Sequence, residues 1–513
     1  MVKYNADWRS TENNSIFIVC LNLSTSPALN MNQNSYRIIS IIVSFCFAAL
    51  LSACGNGNVG TGTWSQFHAD NRSQGFIAVN SSPAITPLWK RDVGPVAHSS
   101  PVVAMDGSIL LGTTEGKLVI VNSNGTIKCS VDLSTGVILS TPAIASNGNS
   151  YIVSIREVGP DSYLSTLHSI TPECESRWSY TFPDINEVIR GHTSASPKVM
   201  ESSRGIHIFL PVRLSRQRDG ADNDDYEDGL NELFVFNDRG SVIDRRTVGG
   251  CLRVRGGGSD ISGLLSDIWD IISDFPKGTA VIGDAFGPLY EQFGWLDPTP
   301  ALVDLSTITQ PERPLIIVAD NCLGLRMTGF HWRLDLATPQ LNRIWTYDDD
   351  SDKNYFSSPA VFSNGLLVIA REDGFIQGFD PETGAKLWNQ NVGEAVMATP
   401  ASIGRQIFLN SLHRLHVLES NGAFADVPIV STYLGGGQTI ASPAVSANYV
   451  YYSTTTGLRT RSFDFFTRAN DSDAIGGVSS PAISPDGIVY NVIIENGTSY
   501  LMAYPAGAQP QVP

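Results

Sequence analysis

Charge is scarce in this 513-residue chain, and basic charge is scarcer still. Charged residues make up 16%, with 34 Lys and Arg against 50 Asp and Glu, whereas soluble domains average roughly 25% charged. The net charge of −16 excludes a general nucleic-acid binder, because phosphate neutralisation needs a basic surface. Low charge beside 42% hydrophobic residues excludes a disordered chain and a Glu- and Lys-rich coiled coil. Long apolar runs are also lacking. Only residues 38–51 approach spanning length, so a polytopic membrane protein is excluded. Catalytic signatures are missing as well: no Gly-x-Ser-x-Gly elbow, His-Glu-x-x-His pair or Walker pattern occurs. The chain is rich in turn-formers, with 46 Gly and 28 Pro, and long enough for several domains or one large repetitive one.

The single apolar run, Ile38 to Leu51, follows Met31-Asn-Gln-Asn-Ser-Tyr-Arg37 and ends in Leu51-Ser-Ala-Cys54. A short polar start with one Arg, an apolar stretch and small residues before a cut make a secretory signal. Its last four residues resemble the lipobox of bacterial lipoproteins, in which the Cys is diacylated and becomes the new N-terminus. The alternative is a short transmembrane anchor. The resemblance implies lipid attachment at Cys54, a signal peptide over 31–53 and a mis-assigned upstream extension over 1–30. Gly55 after the Cys, rather than Asp, implies the outer membrane of a Gram-negative envelope, on its periplasm-facing side. Residues 54–63 read as a flexible tether. Gly55-Asn-Gly-Asn-Val-Gly60 matches a dinucleotide-type glycine pattern, but no strand precedes it and no helix follows. Disulfides form outside the cytoplasm. Cys129, Cys174, Cys251 and Cys322 allow three pairings. Neighbour pairing, Cys129 with Cys174 and Cys251 with Cys322, is the simplest, and free buried thiols are the alternative.

The body of the chain repeats. A small residue, then Ser or Thr, then Pro, usually followed by Ala or Val, recurs at Pro101, Pro142, Pro197, Pro300, Pro359, Pro400, Pro443 and Pro481. Four of the seven gaps between these prolines lie between 38 and 43 residues, so the unit is about 40 residues and the longer gaps are insertions. In the clearest copy, 356–393, four short apolar runs are separated by Ser363-Asn-Gly365, Glu372-Asp-Gly374 and Asp380-Pro-Glu-Thr-Gly384. Such runs and turns make a four-stranded antiparallel meander. One sheet cannot bury both its faces, so the copies must stack side by side. Radial closure gives an all-β, eight-bladed propeller over 64–505, with a tail over 506–513. Leu88-Trp-Lys-Arg91 precedes the first copy and is expected to supply the outer strand of the last blade.

Gly378-Phe-Asp-Pro-Glu-Thr-Gly384-Ala-Lys-Leu-Trp388 resembles the blade motif of quinoprotein-type propellers, the pyrroloquinoline-quinone-like repeats. The resemblance implies that Trp388, and Trp89, Trp178 and Trp345 in matching positions, pack between blades, with Gly384 allowing a close turn. In the first copy Cys129 stands near the position where the resemblance places a Trp. Dehydrogenases of that family hold their quinone under a disulfide between adjacent cysteines, with Ca²⁺ and a catalytic Asp nearby. No adjacent Cys pair exists here. The expectation is therefore a non-catalytic, protein-binding scaffold, similar to the propeller lipoprotein of the outer-membrane β-barrel assembly machinery. A quinone- and Ca²⁺-dependent dehydrogenase and an envelope glycan or peptide binder are the alternatives.

In such a blade the B–C and D–A loops share one face. Two insertions, 213–231 and 251–297, and the acids Asp348, Asp349, Asp350 and Asp352 all fall in those loops. Function gathers on loops held by a rigid scaffold, which makes this face the expected partner site. In the longer insertion, Ile261, Leu264, Leu265, Ile268, Trp269, Ile272 and Phe275 follow helical spacing. Asp219, Asp222, Asp224, Asp225 and Asp228 invite a Ca²⁺ reading. The EF-hand order fails, however, since Asp228 stands where Gly is needed, and a solvated acidic loop is the competing reading. His413 and His416 fall on a predicted strand, where they cannot share a face.

Overall fold

The computed structural model describes residues 63–506, apart from 84–85, 134–135, 160–161, 183, 186–188, 218–225, 252–297, 304–312, 321–324, 350–355, 420–428, 435–436, 464–477 and 496–497. The chain divides into two compact units, Met1–Asn56 and Gly57–Pro513, and the described residues all lie in the second. The calls on Cys54, Cys322, Asp219, Asp222, Asp224, Asp225 and the helix over 261–275 lie outside the described residues.

The second unit is an eight-bladed β-propeller, all antiparallel. Blade 1 consists of strands A to D at Val102–Val103, Ile109–Gly112, Lys117–Val121 and Ile127–Asp132. Blade 5 repeats it at Ala360–Val361, Leu367–Ala370, Phe375–Phe379 and Lys386–Asn391. Strand B is buried along its whole length in both, because apolar residues on its two faces meet two neighbouring blades. The hydrophobic clusters accordingly straddle blade junctions. One joins Leu110, Ile120 and Ile144 across blades 1 and 2, and another joins Phe209, Leu233, Ile316 and Phe330 across blades 3 and 4.

Closure uses the segment read from sequence. Trp89–Asp92 pairs antiparallel with Thr498–Tyr504, Trp89 opposite Ala503 and Asp92 opposite Tyr500. It becomes the outer strand D of blade 8 and covers the edge of Thr498–Tyr504. Blade 3 departs from the four-stranded expectation. Its strands B and C, Gly205–Gln217 and Tyr226–Asn237, run on into the stretch expected as a loop. Ile189–His192 and Asp184–Ile185 add to the extended part, giving six strands. The pairing continues past Val212 opposite Glu232 and Leu214 opposite Leu230 to Gln217 opposite Tyr226. Asp228 therefore lies within a strand.

The repeated Ser/Thr-Pro has a structural purpose. The backbone N–H of the Ser or Thr before each Pro donates to the hydroxyl of its counterpart in the next blade. The order is Ser100, Thr141, Ser196, Thr299, Ser358, Thr399, Ser442, Ser480 and back to Ser100, at 2.8–3.1 Å. All eight residues are buried. Proline next to each removes one N–H that would otherwise need a partner at the crowded axis.

Candidate functional site

Two structures fill the propeller axis. The ring of hydroxyls sits where strands A begin, on the D–A side. Three residues further along each strand A, about 10 Å toward the A–B turns, an N-terminal strap crosses the axis. Its Trp64, Ser65, Gln66, Asn71, Arg72, Gln74 and Gly75 accept hydrogen bonds in turn from Val103, Ile144, Val199, Leu302, Val361, Ser402 and Val445, at 2.7–3.1 Å. These donors occupy the same position in blades 1 to 7, two residues after the Pro. Gln66 accepts through its side-chain Oε1, the others through backbone carbonyls.

The strap is pinned by one residue that breaks the repeat. Lys198 stands after Pro197, where the other seven copies have Val or Ala. It is fully buried, and its Nζ donates to the carbonyls of Phe67 at 2.7 Å and Asp70 at 2.5 Å. Burial pulls its pKa down to about 7, with Asp70 opposing. Burial raises the Asp70 carboxyl, against the pull of Lys198, Gln74 and Arg72. His68 has a carbonyl at each ring nitrogen, Ser73 at 2.7 Å and Pro443 at 2.9 Å. Only an imidazolium can donate to both, yet burial drives the ring down to about 4. The axis on the A–B side is thus filled by protein.

On the D–A and B–C side several described polar groups are engaged with one another. Asp348 pairs with Arg326 at 2.5 Å, while Asp349 accepts from Tyr347 and Gln377 and pairs with Arg371 at 3.3 Å. These two acids are thus held by Arg326 of the adjacent strand and by Arg371 in the B–C turn of blade 5. Asn231 donates to Asp320 at 2.8 Å in the buried junction of blades 3 and 4. His416 is buried, with Nε2 2.8 Å from the Ser411 hydroxyl and Nδ1 3.2 Å from Thr432. Ser411 in turn donates to Glu394, whose other oxygen meets exposed His413 at 3.2 Å. Burial lowers His416 to about 4. Burial pushes Glu394 up, but donors from Ser411 and His413 outweigh it and hold the carboxyl below its usual range. His413 sits in the turn and His416 in the strand Arg414–Glu419. This chain of bonds ties the B–C turn of blade 6 to the preceding D–A link.

The tryptophans occupy blade junctions in a regular way. Trp89, Trp178 and Trp345 donate their indole N–H to carbonyls in the C–D turn of the following blade, at Ser123, Asp238 and Pro381, 2.8–2.9 Å away. The turn glycine lies flat beneath each ring. A Cβ on Gly125, Gly240 or Gly384 would stand 2.6 Å from the indole, and all three have positive φ. Gly384 therefore serves Trp345 of the preceding blade, and Trp388 packs over Gly378 of its own. Between blades 1 and 2 a disulfide takes this place. Cys129 lies opposite Ile120, where Trp178 lies opposite Ser169, and it is bonded to Cys174. Cys174 occupies the turn position of the glycines and shares their positive φ, at 73°. Cys251 ends strand D of blade 3, Val242–Cys251.

Cys129 and Cys174 are 45 residues apart at a blade junction, away from the axis. Among the described residues no three His, Cys, Asp or Glu side chains group as a metal site. The strap and Lys198 escaped the sequence reading. The break in the repeat at position 198 was the available signal.

Solved structures share this fold at low sequence identity. A europium-containing methanol dehydrogenase is 11% identical, with a TM-score of 0.58 over 86% of this chain and 90% of that one. A quinohemoprotein alcohol dehydrogenase from Comamonas testosteroni is 11% identical, with a TM-score of 0.55 over 89% of this chain and 82% of that one. BamB from Moraxella catarrhalis is 10% identical, with a TM-score of 0.48 over 82% of this chain and 99% of that one. No protein-family model and no curated protein matches the chain. The likeness to the two dehydrogenases establishes the fold and nothing finer.

Proposed function

We propose that this protein is a lipid-anchored scaffold of the Gram-negative cell envelope, facing the periplasm from the outer membrane. It binds an envelope protein through its D–A and B–C face, and outer-membrane protein assembly is the setting that the lipidation signal and repeat type suit. The observation that carries this reading is the placement of the two insertions over 213–231 and 251–297. The strands flanking 218–225 and 252–297 end on that one face, while strap and ring fill the axis. A rigid ring with its two largest insertions on one side presents a surface to a partner.

Crosslinking in whole envelopes followed by purification tests it. The expected outcome is recovery of a defined outer-membrane protein joined to residues of the B–C hairpin of blade 3. Recovery of no envelope protein overturns the scaffold. The dehydrogenase reading makes the opposite demand: mixing with quinone and Ca²⁺ must then give the cofactor's absorbance and reduction of an acceptor dye.

A further inference from the structure

We propose that a recess at the junction of blades 1 and 2 is a docking site for one aromatic side chain, Trp or Tyr, presented by a partner polypeptide. The recess lies on the A–B and C–D side of the ring, opposite the insertion-bearing face, and does not depend on what binds there.

The neighbouring junctions show what such a place holds. In blades 2 and 8 a tyrosine of strand B stands beside the tryptophan of strand D. These are Tyr151 with Trp178 and Tyr490 with Trp89, ring centres 5.9 Å apart in both pairs. Tyr151 lies opposite Ala143 and Tyr490 opposite Ala482. The same register position in blade 1, opposite Val102, is Leu110. Cys129 stands where the tryptophans stand. Blade 1 thus offers a leucine and a half-cystine where the blades on either side of it hold two rings. Ile120, opposite Cys129 where the others have Ser169 and Ala503, takes up part of that space.

The remainder is open. A recess of about 200 Å³ lies there, with Leu110, Ile120, Ile144 and Pro172 in its apolar wall. Met105, which is 75% exposed, and the Asp106–Lys128 pair, 3.5 Å apart, also line it. A cavity of about 150 Å³ walled by apolar side chains is enough for benzene, so this one takes a single indole or phenol ring. It is smaller than the roughly 300–1,000 Å³ of sites for whole small molecules.

An acceptor for the ring's polar hydrogen is also present. Trp89 and Trp178 donate to Ser123 and Asp238, each two residues before the glycine on which the indole lies. Cys174 holds that glycine's position in blade 2, so the counterpart is Pro172. The Pro172 carbonyl accepts no hydrogen bond among the described residues. An apolar slot with one unused acceptor matches a flat ring carrying one donor. Trp and Tyr are also the side chains that most often anchor protein interfaces by filling a pocket.

The test uses the full chain, with N-acetyl-5-fluorotryptophanamide as the probe and fluorine NMR as the readout. Saturable line broadening is expected at millimolar probe, reversed by N-acetyltryptophanamide and not by N-acetylleucinamide. Leu110→Tyr puts the neighbours' ring into the recess, and Cys129→Trp with Cys174→Gly rebuilds their tie. Each is expected to weaken binding roughly tenfold or more, about 1.4 kcal/mol, while Leu387→Ser on blade 5 leaves it unchanged. Urea midpoints of the two filled variants separate a blocked recess from an unfolded chain. Absence of saturable broadening, equal displacement by the leucine amide, or undiminished binding to either folded, filled variant overturns the proposal. Binding of free indole where the amide is refused overturns the polypeptide occupant.

Discussion

Four histidines show how burial acts at single residues. Burial lowers His98, His168, His207 and His416 each to about 4, from an ordinary value near 6.5. Between those values the unfolded chain binds protons that the folded chain does not. The stability these residues contribute is thus full above pH 6.5 and is lost as pH falls toward 4. Each is worth on the order of 1–2 kcal/mol at pH 5. The urea midpoint at pH 5 is expected to lie clearly below that at pH 7.5, and a flat profile would contradict the burial. None of this was legible in sequence. His416 reads as a turn or surface residue until the fold brings Ser411 and Thr432 against it. Lys198 is similar: its departure from the Ala or Val of the other copies is visible, but its partners lie about 130 residues away in the chain.

Blades are held to one another by a repeated element, the D-strand indole set on the next C–D turn. Replacing Trp345 by Ala removes a nearly buried ring and its N–H bond to Pro381, at a cost of roughly 3 kcal/mol. Gly384→Ala reaches the same junction from the other side, since its methyl would stand 2.6 Å from the ring at a positive φ. Both variants are expected to lower the urea midpoint, and if Trp345→Ala left it unchanged the packing role would be lost. The tryptophan positions and the Asp-Pro-Glu-Thr-Gly turn were legible because both belong to one local motif. Which blade each glycine serves was not, because the contact crosses to a neighbouring copy. The disulfide is of the same kind. Cys129 and Cys174 stand in the positions of a Trp and a turn Gly, a substitution of one cross-blade tie for another that appears only when the two copies are placed side by side.

For the whole molecule, closure decides whether the repeats are soluble. A chain lacking residues through Asp92 would leave Thr498–Tyr504 as an unpaired edge and would also lose the strap. Such edges template association, so size exclusion is expected to show aggregates where the full second unit is monodisperse, and a well-behaved monomer would refute the closure argument. The sequence by itself determined the architecture: eight Ser/Thr-Pro starts, a unit of about 40 residues and the Leu88–Arg91 strand left over at the front. Periodicity, turn chemistry and strand alternation are local, so they can be read along the chain. Only the tertiary structure decided what fills the axis and which groups lose their charge. Those depend on Trp64 to Gly75 meeting seven strands spread over more than 300 residues, and contacts at such separation leave no periodic trace.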